Sequence, residues 1–132
     1  MVVGATSWEP DRVDETTAQI QQLERLVLAG PKDLPAILLA DLNYDSDLPA
    51  VRDLRLEDGW DAATQGADPR TLSSTNRFAP AEWEAQYDRR IDHVRFAPGR
   101  SGCRATAATV IRDEPDGFPP SDHYPVVVDL EF

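Results

Sequence analysis

The chain has 132 residues, 24 acidic against 13 basic side chains, and a formal net charge of −11. This length suits one ordinary domain, and no apolar run is long enough for a membrane span or a signal peptide. The excess of carboxylates disfavours a surface that grips long nucleic acid, because phosphate contacts require Lys and Arg. It is compatible with simple solubility, or with a small phosphorylated substrate drawn in by a bound cation.

The first part of the chain predicts two strands and two helices in alternation. Residues 1–6 are apolar and β-prone, and residues 11–29 carry apolar side chains at helical spacing before Gly30. Residues 36–40 form a continuous apolar run, which is typical of a strand buried on both faces. Residues 47–57 combine an apolar side with an early proline, which predicts a second helix.

The remaining part predicts a long loop and three further strands. Residues 65–86 lack periodicity and are rich in Thr, Ser, Asn and Pro, so we interpret them as a partly ordered surface loop. Residues 89–97, 104–112 and 124–132 have the composition and alternation of strands. The complete order predicts an α/β (α+β) fold, with a mixed β-sheet and flanking helices on one side.

Two polar residues follow the apolar run at 36–40. Asp41 and Asn43 should emerge at the C-terminal edge of that strand, where open α/β sheets place their ligands. A carboxylate can orient or deprotonate water, and an amide can donate to a phosphoryl oxygen. The alternative is an ordinary polar turn, because Asp-Leu-Asn-Tyr-Asp also has good turn chemistry.

Asp122 and His123 lie between a Pro-rich loop and the last predicted strand. An imidazole at that position can stabilise or protonate a phosphoryl oxygen, and the adjacent carboxylate can hold Mg²⁺. The alternative is a structural cap formed by Ser-Asp-His.

Asp92 places a carboxylate on the apolar face of a predicted strand, where it is costly unless it is paired. One candidate partner is a ring N–H of His123, which Asp92 would then orient as the third member of a triad orients its base. An ion pair with Arg89 or Arg90 is the alternative. His93 lies on the other face and is expected to be an ordinary packed or surface histidine.

Three motifs carry these residues in a fixed order. They are Ala-Asp-Leu-Asn at 40–43, Arg-Ile-Asp-His-Val at 90–94 and Ser-Asp-His-Tyr-Pro-Val at 121–126. They resemble Gly-Asp-Phe/Leu-Asn, Arg-Ile-Asp-Tyr-Val/Ile and Ser-Asp-His-x-Pro-Val of the endonuclease/exonuclease/phosphatase (DNase I-like) superfamily. The resemblance implies that residues 1–132 are the C-terminal part, about half of a four-layer α/β sandwich, and that the N-terminal half is absent.

The resemblance also implies a Mg²⁺-dependent (or Mn²⁺-dependent) hydrolase of phosphodiester or phosphomonoester bonds that needs the other half for full activity. By that resemblance, Asp41 activates the attacking water, Asn43 assists it and binds phosphate, and Asp122 helps to bind the metal. His123 contacts the scissile phosphate, and Asp92 orients His123. The family's metal-binding Glu has no counterpart here, and a phosphate-binding His of the family is replaced.

The replacement is Ser7, which stands where the family usually carries that His in a Thr-His-Leu motif. The alternative function is therefore a non-catalytic remnant or binding module of the same fold that has lost its metal site. A third interpretation, an unrelated acidic α/β domain, predicts that the four site residues Asp41, Asp92, Asp122 and His123 do not converge in space.

The expected substrates are a phosphorylated small molecule, a lipid headgroup or nucleic acid, and the expected location is the cytoplasm. Half of a two-sheet sandwich would leave the inner face of its sheet open to solvent. Such an apolar face predicts self-association of the chain.

Overall fold

The computed structural model describes residues 1–9 and 11–132, with side chains for all of these except residues 83, 85 and 86. The helices and strands are, in chain order, β1 Val2–Ala5, α1 Val13–Leu28, β2 Ile37–Asp41, α2 Pro49–Arg52, β3 Glu57–Asp58, α3 Gly59–Ala62, β4 Thr64–Gln65, β5 Asp92–Phe96, β6 Arg104–Val110 and β7 Val126–Glu131. Short 3₁₀ turns lie between the later strands at Ala81–Gln86, Arg100–Gly102 and Pro115–Gly117. No helix in the described part of the chain has the length and apolar character that a bilayer crossing needs.

The strands form two sheets, whereas the sequence predicts one. The first sheet has the order β1-β2-β5-β3 and the second has the order β4-β6-β7. β1 runs parallel to β2, and β5 runs antiparallel to β2 and β3; β6 is parallel to β4 and antiparallel to β7. The chain leaves the first sheet after β5 through Gly99 and Gly102, whose φ angles of 74° and 69° redirect the backbone. The predicted α+β class, with mixed sheets and flanking helices, is confirmed.

Helix α1 covers the outer face of the first sheet, and its predicted existence is confirmed. Ile20 and Val27 are buried on the side that faces β2, where Leu38 is also buried. The helix approaches β1 closely, because a Cβ atom added at Gly4 would lie only 2.7 Å from Leu23 Cδ2. Burial of this apolar stripe is the main stabilising contribution of α1, since helical propensity alone is weak.

The predicted helix over residues 47–57 is only partly right. The helix α2 ends at Arg52, and Glu57 and Asp58 instead form β3, in register with Phe96 and Arg95 of β5. Pairing with a distant strand and with buried arginines outweighs the local helical pattern there, because tertiary contacts override weak propensities.

The predicted surface loop over residues 65–86 is more ordered than its composition suggests. Thr71 and Leu72 within it are fully buried. The hydroxyl oxygen of Thr71 accepts hydrogen bonds from the backbone N–H groups of Ile91 and Asp92, at 3.1 and 3.2 Å. The loop therefore fixes the start of β5, which carries one of the predicted site residues.

The two sheets meet at a seam beside helix α3. Trp60 is buried in a cluster with Ala108 and Val110 of the second sheet and with Tyr124, just before β7. Gly59 allows the close approach, because an added Cβ would lie 2.9 Å from both the Val94 carbonyl oxygen and a methyl group of Val128. An open cleft follows this seam between the inner faces of the two sheets.

Candidate active site

Asp41 ends β2, and Asn43 lies in the tight turn that follows. The backbone N–H of Asn43 donates to Asp41 Oδ1 at 2.8 Å, and the Asn43 side chain donates to the Thr6 carbonyl oxygen at 2.8 Å. Asn43 has a φ angle of 56°, in the left-handed region that asparagine tolerates better than most residues. The predicted polar turn is therefore present, and this turn also orients the Asp41 carboxylate.

Asp92 and His123 contact each other, as one of the two sequence interpretations predicts. The distance between His123 Nδ1 and Asp92 Oδ2 is 2.9 Å. Because a carboxylate oxygen accepts, the N–H at Nδ1 donates and Nε2 stays available for a ligand. The hydrogen bond to Asp92 raises the pKa of His123, and the charges of the neighbouring carboxylates raise it further. The two arginines considered as alternative partners of Asp92 contact other carboxylates.

Asp41, Asp92 and His123 converge on one place. A carboxylate oxygen of each aspartate and a ring nitrogen of the histidine lie within 4.8 Å of one another. Burial raises the pKa of Asp41, and repulsion from Asp92 adds to the effect, whereas the Asn43 N–H and His123 act in the opposite direction. The interpretation as an unrelated domain, in which these residues stay apart, is wrong for these three.

These three residues line a cleft of about 370 Å³ between the sheets. Leu39 and Val94 of the first sheet and Val126 of the second form its apolar walls, and Ser121 and Tyr124 lie beside His123. A cleft of this kind, apolar with a few convergent polar groups, is typical of a small-molecule site.

Asp122 lies outside the converging group. Its side chain accepts a hydrogen bond from the Ser121 hydroxyl at 3.0 Å, and it is partly exposed. The backbone N–H of His123 donates to the same hydroxyl at 3.2 Å. These two bonds fix the loop locally around the Ser121 hydroxyl, and the contact between His123 and Asp92 is present as well.

A buried ionic network lies next to the site, and the sequence analysis did not predict it. Asp58 lies 2.8 Å from Arg90 Nη1, 3.2 Å from Arg95 Nη2 and 3.2 Å from His93 Nδ1. Burial by itself would raise the pKa of Asp58, but the His93 hydrogen bond and the two arginines hold that pKa well below its usual range. Charged residues in short runs usually lie at the surface, so only their pairing across strands distinguishes this set.

His93 connects this network to the turn that follows Asp41. It is fully buried, in agreement with the prediction of a packed histidine, and its Nε2–H donates to the Tyr44 carbonyl oxygen at 3.0 Å. The ring thereby fixes the backbone directly after Asn43. This hydrogen bond is costly to break, because the partly buried carbonyl would lose its protein partner.

The donor set fits a hard divalent cation. Asp41 and Asp92 each use one carboxylate oxygen in a hydrogen bond, which leaves the second oxygen of each free to bind a cation. Mg²⁺ prefers oxygen ligands and commonly binds through one or two carboxylates, with water and substrate phosphate completing the shell. Asp122, on the loop that carries His123, is a further carboxylate close in the chain.

Comparison with known proteins identifies the family and the fold. The sequence matches the Endonuclease/Exonuclease/phosphatase family over residues 2–123. No curated protein matches the chain in sequence. Among solved structures, a conserved protein of unknown function from Enterococcus faecalis V583 superposes with a TM-score of 0.71 at 19% identity, over 96% of this chain and 48% of that one.

Two further similar structures have names that state an activity. Mannosyl-6-phosphatase Bt3783 of Bacteroides thetaiotaomicron has a TM-score of 0.64 at 22% identity, over 97% of this chain and 49% of its own. Sphingomyelinase C of Streptomyces griseocarneus has a TM-score of 0.62 at 21% identity, over 88% of this chain and 45% of its own. The chain thus spans about half the length of these structures, which establish its DNase I-like fold. From the sequence match over residues 2–123, the chain belongs to the endonuclease/exonuclease/phosphatase family.

Proposed function

We propose that this chain forms part of a divalent-metal-dependent hydrolase of phosphodiester or phosphomonoester bonds. The observation that carries the proposal is the convergence of Asp41, Asp92 and His123 in one cleft. Two carboxylates and an imidazole at this separation can handle both the attacking water and the charge on a phosphate ester.

In the proposed reaction, Asp41 holds the attacking water and accepts its proton. Asp41 suits this role because the Asn43 N–H orients its carboxylate and because the carboxylate converges with Asp92 and His123. Asn43 holds the Asp41 turn in place through its backbone N–H, and we assign its side chain to the water and the phosphate.

His123 stabilises the phosphoryl oxygens, and Asp92 orients it. The raised pKa of His123 increases the fraction of imidazolium near neutral pH, and that cation can donate from Nε2 to a phosphoryl oxygen. The Asp92 carboxylate holds Nδ1–H, which fixes the ring orientation. The new bond forms between the water oxygen and phosphorus, and the ester P–O bond breaks. The leaving oxygen departs with the bonding pair and takes a proton from solvent, and Asp41 returns the proton it accepted to solvent.

We assign Mg²⁺ or Mn²⁺ binding to Asp122, with the free oxygens of Asp41 and Asp92 as the neighbouring ligands. When bound, the cation polarises the phosphoryl group and neutralises developing charge. The close carboxylates of Asp41 and Asp92 support this assignment, because their mutual repulsion favours a cation between them.

The substrate is proposed as a phosphorylated small molecule, a lipid headgroup or nucleic acid. Two of the similar structures are named as a mannosyl-6-phosphatase and a sphingomyelinase. These names favour a phosphorylated small molecule or a lipid headgroup as the substrate. The net charge of −11 disfavours long nucleic acid. A cytoplasmic location stays a prediction.

A non-catalytic binding module is the second candidate function. Two observations favour it: Ser7 replaces a phosphate-binding histidine of the family, and Asp122 stands outside the converging group. This candidate predicts that the cleft binds a phosphate ester but does not hydrolyse it.

The test is hydrolysis of bis(p-nitrophenyl) phosphate with and without Mg²⁺, by the chain and by its D41N and H123A variants. Loss of a positioned acid or base lowers rates by about 10²–10⁴-fold, so both variants should be nearly inactive. The matched control is D53N, which changes an exposed aspartate paired with Arg52. Equal rates above the uncatalysed background for the chain, D41N and H123A would refute the site assignment, and phosphate binding without hydrolysis would favour the binding module.

The metal assignment has its own test. Isothermal titration with Mn²⁺ should give a weaker affinity for D122N than for the unchanged chain, and again D53N serves as the control. If D122N binds Mn²⁺ as tightly as the unchanged chain does, Asp122 is not a ligand. If D41N weakens Mn²⁺ binding and D122N does not, the cation is held by the converging group without Asp122.

A further inference from the structure

An exposed group of two aromatic rings and one cation lies on the loops that adjoin the cleft. We call Arg77, Phe78 and Phe118 the aromatic rim. The two phenyl rings have centroids 6.3 Å apart and lie at 24° to each other, while the Arg77 guanidinium lies 4.1 Å from the centroid of Phe118 and 5.6 Å from that of Phe78. Phe78 is 47% exposed and Phe118 is 56% exposed, so both rings offer a large apolar area to solvent.

The aromatic rim is held in place by hydrogen bonds. The guanidinium of Arg77 donates to the Gly117 carbonyl oxygen, which joins the two loops. The backbone N–H of Phe78 donates to Asn76 Oδ1 at 2.9 Å, and Asn76 itself is buried. Side chains that stay exposed on an anchored scaffold lose little conformational entropy when a ligand binds.

The aromatic rim is attached directly to the loop that carries His123. The side-chain N–H of Asn76 donates to the Ser121 carbonyl oxygen at 2.9 Å, and Ser121 lines the same cleft as His123. Phe78 is two residues from Asn76, a distance of at most about 7 Å along an extended chain. Phe118 is three residues from Ser121. The rings therefore lie on the two loops that adjoin the cleft, beside the residues that line it.

The charge of Arg77 suits that position. Within the described part of the chain, no carboxylate forms an ion pair with Arg77, although the chain carries 24 acidic residues. An unneutralised cation beside a cleft with the donors for a phosphate ester attracts an anionic ligand. A single exposed phenylalanine would need no explanation, but two rings with an unpaired cation between loops that flank the cleft form a distinct surface.

We propose that the aromatic rim binds a planar aromatic group of the phosphoester substrate, such as an aryl group or a nucleobase. This inference rests on the proposed phosphoesterase function of the adjoining cleft. The phosphate occupies the cleft, the aromatic group stacks on Phe118 or Phe78, and Arg77 adds attraction for the phosphate charge. A planar ring can stack on exposed aromatic side chains without specific hydrogen bonds. The aromatic rim therefore selects ligands that carry an aromatic ring.

The test compares phenylphosphonate with methylphosphonate, which carry the same charged group on a P–C bond that a phosphoesterase does not cleave. Both are titrated into the 132-residue chain by NMR with Mg²⁺ present. We expect phenylphosphonate to bind about fivefold more tightly, as one exposed stacking contact provides. F78A and F118A should bring the ratio of the two dissociation constants close to one. The matched control is F132A, because Phe132 is 65% exposed at the far end of the chain.

Three further variants make the result specific. F118L keeps apolar area but removes the π face, so it should lower the ratio nearly as far as F118A does. R77Q should weaken the binding of both phosphonates. H123A should weaken both equally and leave their ratio at about fivefold, which separates failure of the proposed hydrolytic site from failure of the aromatic rim.

Each remaining outcome decides the question. Equal affinities of the unchanged chain for the two phosphonates, no binding of phenylphosphonate, or a ratio unaffected by F78A and F118A would each overturn the inference. Phosphatidylcholine vesicles provide the last arm of the test. Cosedimentation with vesicles that F118A abolishes, together with equal phosphonate affinities, would assign the rim to a membrane surface and reject the aromatic-ligand site.

Discussion

Replacing Asp58 by alanine should cause a large loss of stability, because this carboxylate balances two buried arginines. Arg90 Nη1 lies 2.8 Å from it and Arg95 Nη2 lies 3.2 Å from it, and the side chains of both arginines are at least nine-tenths buried. Asp58 also caps α3 by accepting a hydrogen bond from the Trp60 backbone N–H at 2.9 Å. The D58A variant would remove the buried carboxylate partner of both guanidinium groups and the cap of one helix end, and would leave Arg90 only the exposed Asp61 at 3.4 Å as an ion-pair partner.

The expected magnitude follows from these contacts. Removing one partner of a buried ion pair costs about 3–5 kcal/mol, and loss of a helix cap costs about 1 kcal/mol. The free energy of unfolding should therefore fall by about 4–6 kcal/mol, a large share of the roughly 5–15 kcal/mol that domains possess. At about 4 °C per kcal/mol for a chain of this size, Tm should fall by roughly 15–25 °C.

The assay is urea unfolding followed by far-UV circular dichroism, with D53A as the matched control. Asp53 pairs with Arg52, but both side chains are more than half exposed, so D53A should change stability by less than about 0.5 kcal/mol. A loss below about 1 kcal/mol for D58A would refute the reasoning, because it would mean that the buried arginines find other partners or reach solvent.

The pH dependence of this difference has a definite sign. The pKa of Asp58 is held well below its ordinary value, so its contribution is fully present above the ordinary carboxylate pKa of about 4. That contribution is lost only as the pH falls through the depressed pKa of the folded state. The gap in stability between the unchanged chain and D58A should therefore stay constant from pH 7 to about pH 5 and close only in stronger acid.

Three further predictions concern the seam and the site. D92N should lower the pKa of His123 in an NMR titration, because the hydrogen bond to Asp92 raises that pKa, and an unchanged pKa would contradict the contact. The stabilisation that this pair provides is full below the ordinary histidine pKa and disappears as the pH rises through the raised pKa. G59A should cost about 1–3 kcal/mol in urea unfolding, because an added Cβ meets the Val94 carbonyl oxygen at 2.9 Å, and an unchanged midpoint would show that the seam yields. The chain should self-associate through the open cleft side of β1, where Val3 is 70% exposed. In sedimentation velocity, V3K should shift the population towards monomer, and an unchanged chain that is already monomeric would contradict this expectation.

Local pattern was sufficient for the elements that bury one continuous apolar stripe. The spacing of Ile20 and Val27 predicted α1, and the apolar run at 36–40 predicted β2, because both patterns reflect burial that the local sequence must provide. The helix predicted at 47–57 was only partly right, since α2 ends at Arg52 and Glu57 pairs with Phe96 of β5, 39 residues later. The split into two sheets was missed, because the chain changes sheets twice, between β3 and β4 and again after β5 at Gly99 and Gly102, and local pattern does not specify which strands pair.

Part of the site could be predicted, because the chemistry of a partly buried carboxylate allows few partners. A carboxylate on an apolar strand face required a partner, which limited Asp92 to His123 or a neighbouring arginine, and the structure shows the former. The network around Asp58 was not predictable in this way. Its members come from β3, β5 and the residues just before β5, and each looks like an ordinary surface charge until the strands are paired.

The contact between Asp92 and His123 joins the two sheets. Asp92 begins β5 in the first sheet, whereas His123 precedes β7 in the second, and 31 positions of chain separate them. Each sheet can form its own backbone ladder without the other, but this hydrogen bond exists only when the sheets have docked. The contact should therefore form late in folding, since long-range contacts follow costly loop closure. The protonation of His123 accordingly reports whether the sheets are docked, and any change that loosens the seam will be detected at this imidazole before either sheet unravels.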